Sequence, residues 1–101
     1  MTNPSFKLCL RKTYYKQGFF NIPVDFERYV AKTDEAVVIY LGTANQRIEG
    51  RVSRRYNTNH TPRILGSVEL RNWFQKHFEV LDYVTVEFLS PTEFSITHNK
   101  V

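Results

Sequence analysis

Arginine, asparagine, threonine and histidine side chains are concentrated in one stretch of the chain, RVSRRYNTNHTPR at residues 51–63. Arginine carries a planar fork of hydrogen-bond donors, and asparagine carries donors and an acceptor on one amide. These side chains can bind phosphate groups and the polar edges of planar heterocycles. The stretch is therefore either a solvated loop whose charges keep the protein in solution or a recognition surface.

The basic residues are distributed unevenly. Residues 7–16 and 47–63 together hold nine of the 14 lysines and arginines but only one of the ten acidic residues. These two segments carry a net charge of +8 and the rest of the chain carries −4, within a total of +4. Such concentrated positive charge is typical of proteins whose partner is a polyanion.

Groups that could perform catalysis or bind a metal are sparse. The three histidines, His60, His77 and His98, lack metal-ligand spacing, and Cys9 is the single cysteine. The carboxylates do not form the Asp and Glu-x-Lys arrangement with which nucleases hold Mg²⁺. We therefore expect no catalytic residue, no metal and no cofactor, and we interpret the chain as a binding domain rather than an enzyme.

Seven short segments have the alternating or β-branched composition of strands. The third is expected to be buried on both faces, and GTANQ predicts a hairpin between the third and the fourth. In the fourth segment, alternation places Arg47, Arg51 and Arg55 on one outward face. The seven segments are FKLCLRK, FFNI, AVVIYL, RIEGRVSRR, PRIL, YVTVEFL and EFSI.

Two helices are predicted, and TYYKQG between the first two strands is expected to be a turn. In VDFERYVAKT, the apolar residues Phe26, Tyr29 and Val30 follow helical spacing after Pro23. In SVELRNWFQKHF, Ser67 is the expected N-cap, and an apolar stripe packs on the core. The stripe consists of Leu70, Trp73, Phe74 and Phe78.

These elements predict a mainly β protein, a seven-stranded open β-barrel with two short α-helices at the barrel ends. We expect residues 1–101 to form one domain. The first residues lack a signal-peptide pattern, and no apolar run reaches the about 20 residues of a membrane span. A bacterial cytoplasmic location without membrane contact is expected.

The order of the segments resembles the B3-type DNA-binding pseudobarrel over nearly the whole chain. The resemblance is carried by GFFNIP before a helix and by TPRILGSVELRNWFQKHF before LDYVTVEFL. It implies a domain that contacts the major groove of double-stranded DNA with two arms, a plant transcription-factor domain or, in bacteria, the recognition or effector domain of a restriction endonuclease. TPRI and the compact chain are closer to the bacterial branch, in which a nuclease domain is fused or associated. One difference is Leu81 before Asp82, where the plant pattern usually has glycine.

By position, the first arm corresponds to Lys12–Gly18 and the second arm to Arg51–Arg63. Arginine can bind guanine O6 and N7 and asparagine can bind adenine bidentately, each pair contributing about 1–3 kcal/mol of discrimination. The lysines are expected to contact phosphates. The candidate DNA-binding residues are Lys12, Tyr14, Tyr15, Lys16, Gln17, Arg51, Ser53, Arg54, Arg55, Asn57, Thr58, Asn59, His60 and Arg63.

Three alternative functions remain open at this point. A small β-barrel can bind single-stranded nucleic acid by stacking and electrostatics, and would prefer single strands to duplex. A nuclease or other hydrolase would cleave DNA when Mg²⁺ is supplied. A protein-interaction module would show no salt-sensitive binding of nucleic acid.

Overall fold

The computed structural model describes residues 3–32, 34–57 and 60–98. All seven predicted strands are present, and the helices number three rather than two in these ranges. The strands are β1 (Ser5–Cys9), β2 (Phe19–Asn21), β3 (Ala36–Leu41), β4 (Gln46–Ser53), β5 (Arg63–Leu65), β6 (Tyr83–Ser90) and β7 (Glu93–His98). The helices are α1 (Lys12–Gln17), the 3-10 helix η1 (Val24–Tyr29) and α2 (Ser67–His77).

The strands form one sheet in the order β1-β6-β7-β3-β4-β5-β2. Every neighbouring pair is antiparallel except β3 with β7. The sheet curls, and this brings its two edge strands, β1 and β2, close together. Residues of both strands line one groove of about 320 Å³. We call it the seam groove. This curled open sheet confirms the predicted mainly β, open-barrel fold.

Apolar side chains alternate along the strands and fill the inside of the curl. Phe20, Phe74 and Phe94 are fully buried there. Trp73 is also buried, which confirms its expected place in the core. The expectation that β3 is buried on both faces was wrong, since Val38 and Tyr40 are only partly covered.

The turns follow the sequence prediction in one place and depart from it in another. The predicted β3–β4 hairpin is present, with Leu41 opposite Gln46 and with Gly42 and Asn45 at φ of 70° and 54°. The N-cap of α2 is Gly66, not Ser67, whose φ is 60° and whose hydroxyl caps no backbone group. No helix in the described ranges is long and apolar enough to cross a membrane.

Candidate nucleic-acid interface

The first arm is a short helix, where the sequence predicted a turn. Helix α1 ends at Gly18, which has φ of 76° and donates its N–H to the carbonyl of Tyr14 at 2.9 Å. A Cβ at Gly18 would overlap the Ser67 carbonyl oxygen, so only glycine allows this close approach to α2. Lys12 and Lys16 are one helical turn apart and both are exposed, which gives the arm a basic outer surface.

Helix α2 holds α1 in place. The Tyr15 hydroxyl donates to the carbonyl of Phe78 at 3.1 Å, and the Gln75 amide donates to the carbonyl of Tyr15 at 3.1 Å. The Tyr14 ring meets Phe19 edge-on at 5.4 Å. Both tyrosines are half-buried against the core, so the first arm presents Lys12, Thr13, Lys16 and Gln17 to solvent.

Arg54 in the second arm is engaged by the protein itself. Its side chain is 18% exposed and forms an ion pair of 2.8 Å with Glu27. The guanidinium also donates to the carbonyls of Glu27, Val30, Ala31 and His60 at 3.2–3.3 Å. Three of these carbonyls lie at the end of η1, where a positive charge is favourable. The guanidinium of Arg54, for which the sequence predicted a contact with a base, is thus held by groups of the protein itself.

The neighbours of Arg54 in sequence differ from it in accessibility. Arg55 is 85% exposed, and its Nε lies 3.4 Å from a carboxylate oxygen of Asp34. Arg51 is exposed on the outward face of β4, as alternation predicted. Ser53 was expected to contact a partner, but it is 7% exposed and its Oγ accepts the N–H of Arg55 at 3.4 Å. Little of the Ser53 side chain is therefore open to solvent.

Asn57 and Arg63 are held by Asn21, which is not among the residues predicted from the sequence. The side-chain oxygen of Asn21 accepts a hydrogen bond from Nε of Arg63 at 3.1 Å and another from Nδ2 of Asn57 at 3.2 Å. The Arg63 guanidinium carbon also lies 4.2 Å from the ring centre of Phe19 and 4.8 Å from that of Tyr56. Both candidate side chains are therefore fixed in position.

The tip of the second arm is described in part. His60 is exposed with φ of 60°, and its N–H bonds to the carbonyl of Asn57 at 3.0 Å. Thr58 and Asn59, two further candidate residues, lie outside the described residues.

The two arms meet at strand β2. Helix α1 leads directly into Phe19 at one end of β2, and Asn21 at its other end contacts the second arm. Ring and guanidinium contacts run without a break from Tyr14 through Phe19 and Arg63 to Tyr56. The two arms, which are distant in sequence, are thus connected through side chains packed around β2.

The seam groove adds further polar groups. Its lining includes Lys7, Arg11, Tyr14, Asn21 and Tyr83. The charge distribution had placed Lys7 and Arg11 in a basic segment, but only the curl of the sheet brings them beside Asn21. Within the ranges described above, no group of three or more His, Cys, Asp or Glu side chains is arranged to hold a metal ion.

No protein-family model and no curated protein matches the chain. The structure is similar to that of a hypothetical Arabidopsis thaliana protein, with a TM-score of 0.67 and 16% identity over 98% of this chain and 95% of that one. It is also similar to the N-terminal domain of Helicobacter pylori LlaJI.R1, with a TM-score of 0.58 and 12% identity over 93% of this chain and 85% of that one. At these identities the similarity shows the fold alone.

Proposed function

We propose that the chain binds double-stranded DNA in a sequence-specific manner by placing its two arms in the major groove. The observation that carries the proposal is the meeting of two basic segments on the two ends of β2. Strand β2 has three residues, so its ends are about 7 Å apart at the usual rise of about 3.3 Å per residue. Both arms can therefore enter one major groove, which is about 12 Å wide.

The side chains divide into two roles in this proposal. Lys12 and Lys16 contact phosphates and orient the domain, together with Lys7 and Arg11 at the seam groove. Base edges are contacted from the second arm. The proposed base-contacting side chains are Arg51, Arg55, Asn57 and Arg63, whereas Arg54 supports the arm from inside.

We further propose that the chain serves as the recognition or effector domain of a bacterial restriction endonuclease. The segment order quoted above supports this assignment, and so does the similarity to a bacterial N-terminal domain. Cleavage would then belong to a fused or associated nuclease domain. Incubating the purified chain with duplex DNA and Mg²⁺ tests this division, because release of fragments would assign the cleavage to this chain.

Selection from a randomised duplex pool, followed by gel-shift titration at several salt concentrations, tests the binding proposal. We expect one enriched motif and an affinity that falls as salt rises, because released counterions favour the complex. The same motif as a single strand is the control. Enrichment of no motif would refute sequence-specific binding, and a preference for the single strand would favour binding by stacking on exposed rings such as Tyr56.

A further inference from the structure

Asn21, Asn57 and Arg63 form a hydrogen-bonded group that we call the reading unit. We propose that within it Arg63 recognises guanine, Asn57 recognises the exocyclic amino group of adenine or cytosine, and Asn21 is the positioning residue for both. The inference rests on the proposed DNA-binding function and goes beyond it by naming the base chemistry.

The arrangement of the reading unit follows from the pairing of strands. Asn21 lies directly opposite Arg63 in the β2–β5 register. Its single side-chain oxygen accepts both from Arg63 Nε at 3.1 Å and from Asn57 Nδ2 at 3.2 Å. Any displacement of Asn21 therefore moves both partners.

The hydrogen bonds determine which way each amide faces. Arginine only donates hydrogen bonds, so the atom of Asn21 that meets Arg63 must be the oxygen. Asn57 meets that oxygen and also the carbonyl of Thr61 at 3.0 Å, and both of these groups only accept. The nitrogen of Asn57 must therefore face them, because the reverse orientation would place the Asn57 oxygen against the oxygens of Asn21 and Thr61.

This orientation limits what Asn57 can recognise. Its nitrogen uses its hydrogens on Asn21 and Thr61, whereas its oxygen accepts no hydrogen bond from the described residues. Bidentate pairing with adenine, which the sequence suggested, needs both a donor and an acceptor. Asn57 has only the acceptor to offer, and the donors in the major groove are adenine N6 and cytosine N4.

The position of Arg63 limits its recognition in the complementary way. Nε is used by Asn21, and the two terminal amino groups have no acceptor among residues 3–32, 34–57 and 60–98. The rings of Phe19 and Tyr56 lie 4.2 and 4.8 Å from the guanidinium carbon and restrict its rotation. A fixed fork of two donors matches the two acceptors of guanine, O6 and N7.

The test begins with the motif selected by the unmodified protein. Selection with Arg63→Ala identifies the position that Arg63 reads, which we expect to be guanine. Replacing that base with 7-deazaguanine removes the N7 acceptor and should weaken binding of the unmodified protein about tenfold. The replacement should leave binding by Arg63→Ala unchanged.

Asn57 is tested in the same way with a blocked amino group. Selection with Asn57→Ala identifies its position, and N6-methyladenine or N4-methylcytosine is placed there. In the paired base the methyl group replaces the amino hydrogen that faces the major groove, which is the hydrogen that Asn57 would bind. Binding by the unmodified protein should therefore weaken about tenfold. Binding by Asn57→Ala should not respond to the methyl group.

The role of Asn21 is tested with two substitutions of similar size. Asn21→Ala removes the acceptor and should reduce the response to both modified bases. Asn21→Asp keeps an acceptor for both partners and should retain both responses. Melting temperatures show whether each variant is folded. If Asn21→Ala does not fold, the base assignment is still tested, because the modified duplexes are measured with the unmodified protein.

The failure of this inference is distinguishable from failure of the proposed function. If no motif is enriched, DNA reading by this chain is refuted. If a motif is enriched but 7-deazaguanine and the methylated bases leave the affinity of the unmodified protein unchanged, the reading unit is refuted and sequence-specific binding stands. Equal responses by Asn21→Ala and the unmodified protein would refute the positioning role alone.

Discussion

Replacing Arg54 with alanine should destabilise the fold, although the neighbouring Arg55→Ala should not. Six hydrogen bonds are recorded from the Arg54 guanidinium, and five of them reach backbone carbonyls. Arg54→Ala removes the donor from the carbonyls of the buried residues Val30 and Ala31, whereas the Glu27 carbonyl keeps the N–H of Val30. The end of η1 would lose its attachment to the second arm.

The magnitude follows from how buried these groups are. Each buried carbonyl left without a partner costs about 1–3 kcal/mol, so the two at Val30 and Ala31 dominate. The ion pair adds less than about 1 kcal/mol, because Glu27 is 43% exposed and water screens it. Since water can reach part of the vacated space, we expect the free energy of unfolding to fall by about 2–4 kcal/mol.

Thermal unfolding followed by circular dichroism measures this loss. In a domain of this size each kcal/mol lowers the melting temperature by about 4–8 °C, so Arg54→Ala should melt at least about 8 °C below the unmodified protein. Arg54→Lys should recover part of the loss, because lysine keeps the positive charge. The recovery should be incomplete, because the three donors of lysine lie on one atom and cannot reach all of these carbonyls.

Arg55→Ala is the matched control, since the two arginines are adjacent and Arg55 is 85% exposed. Its free energy of unfolding should change by less than about 0.5 kcal/mol, whereas its affinity for the selected duplex should fall. Similar melting temperatures for Arg54→Ala and the unmodified protein, or an equal loss in both alanine variants, would refute this division of roles.

Four further substitutions test other parts of the structure. Lys16→Ala should weaken binding to all duplexes alike and reduce the slope of log affinity against log salt by about 1, whereas Lys76→Ala, outside both arms, should leave the slope unchanged in the same titration. Gly18→Ala should lower the free energy of unfolding by more than about 2 kcal/mol in urea titration, because of its positive φ and its overlap with Ser67; a normal midpoint would contradict this. Tyr15→Phe should cost about 1 kcal/mol by the same measurement, through loss of the hydroxyl bond that holds α1. Leu81→Gly should raise the free energy of unfolding by up to about 1 kcal/mol, because Leu81 is exposed at φ of 75°, and a loss of stability would mean that its side chain is needed.

The strands could be predicted from the sequence because each buries one face, and burial imposes alternation. Helix α1 could not be predicted in this way, since KTYYKQ has two adjacent tyrosines and no apolar residues at helical spacing. Its stability comes from contacts with Gln75 and Phe78 of a helix far along the chain. These contacts are tertiary and leave no local signal.

The candidate site was predictable at the level of charge but not at the level of single side chains. The two basic segments, residues 7–16 and 47–63, overlap the arms that the resemblance implied, and concentrated positive charge is typical of proteins that bind a polyanion. Alternation does not separate the two arginines, because β4 ends at Ser53 and Ser53 is buried although it belongs to the outward series. The contacts of Asn21 depend on the pairing of β2 with β5, which places it opposite Arg63, 42 residues along the chain. Sequence spacing does not reveal that pairing.

If the chain reads DNA as proposed, the single oxygen shared by Arg63 and Asn57 couples the two contacts with bases. A substitution that alters one of these side chains releases a hydrogen bond on Asn21, and so shifts the other. A wrong base at one position that displaces its side chain would likewise move Asn21, so we expect the base preferences at the two positions to be statistically dependent, which a scoring matrix with independent columns would not describe. Engineering a new target would require Asn21, Asn57 and Arg63 to be varied together in one library.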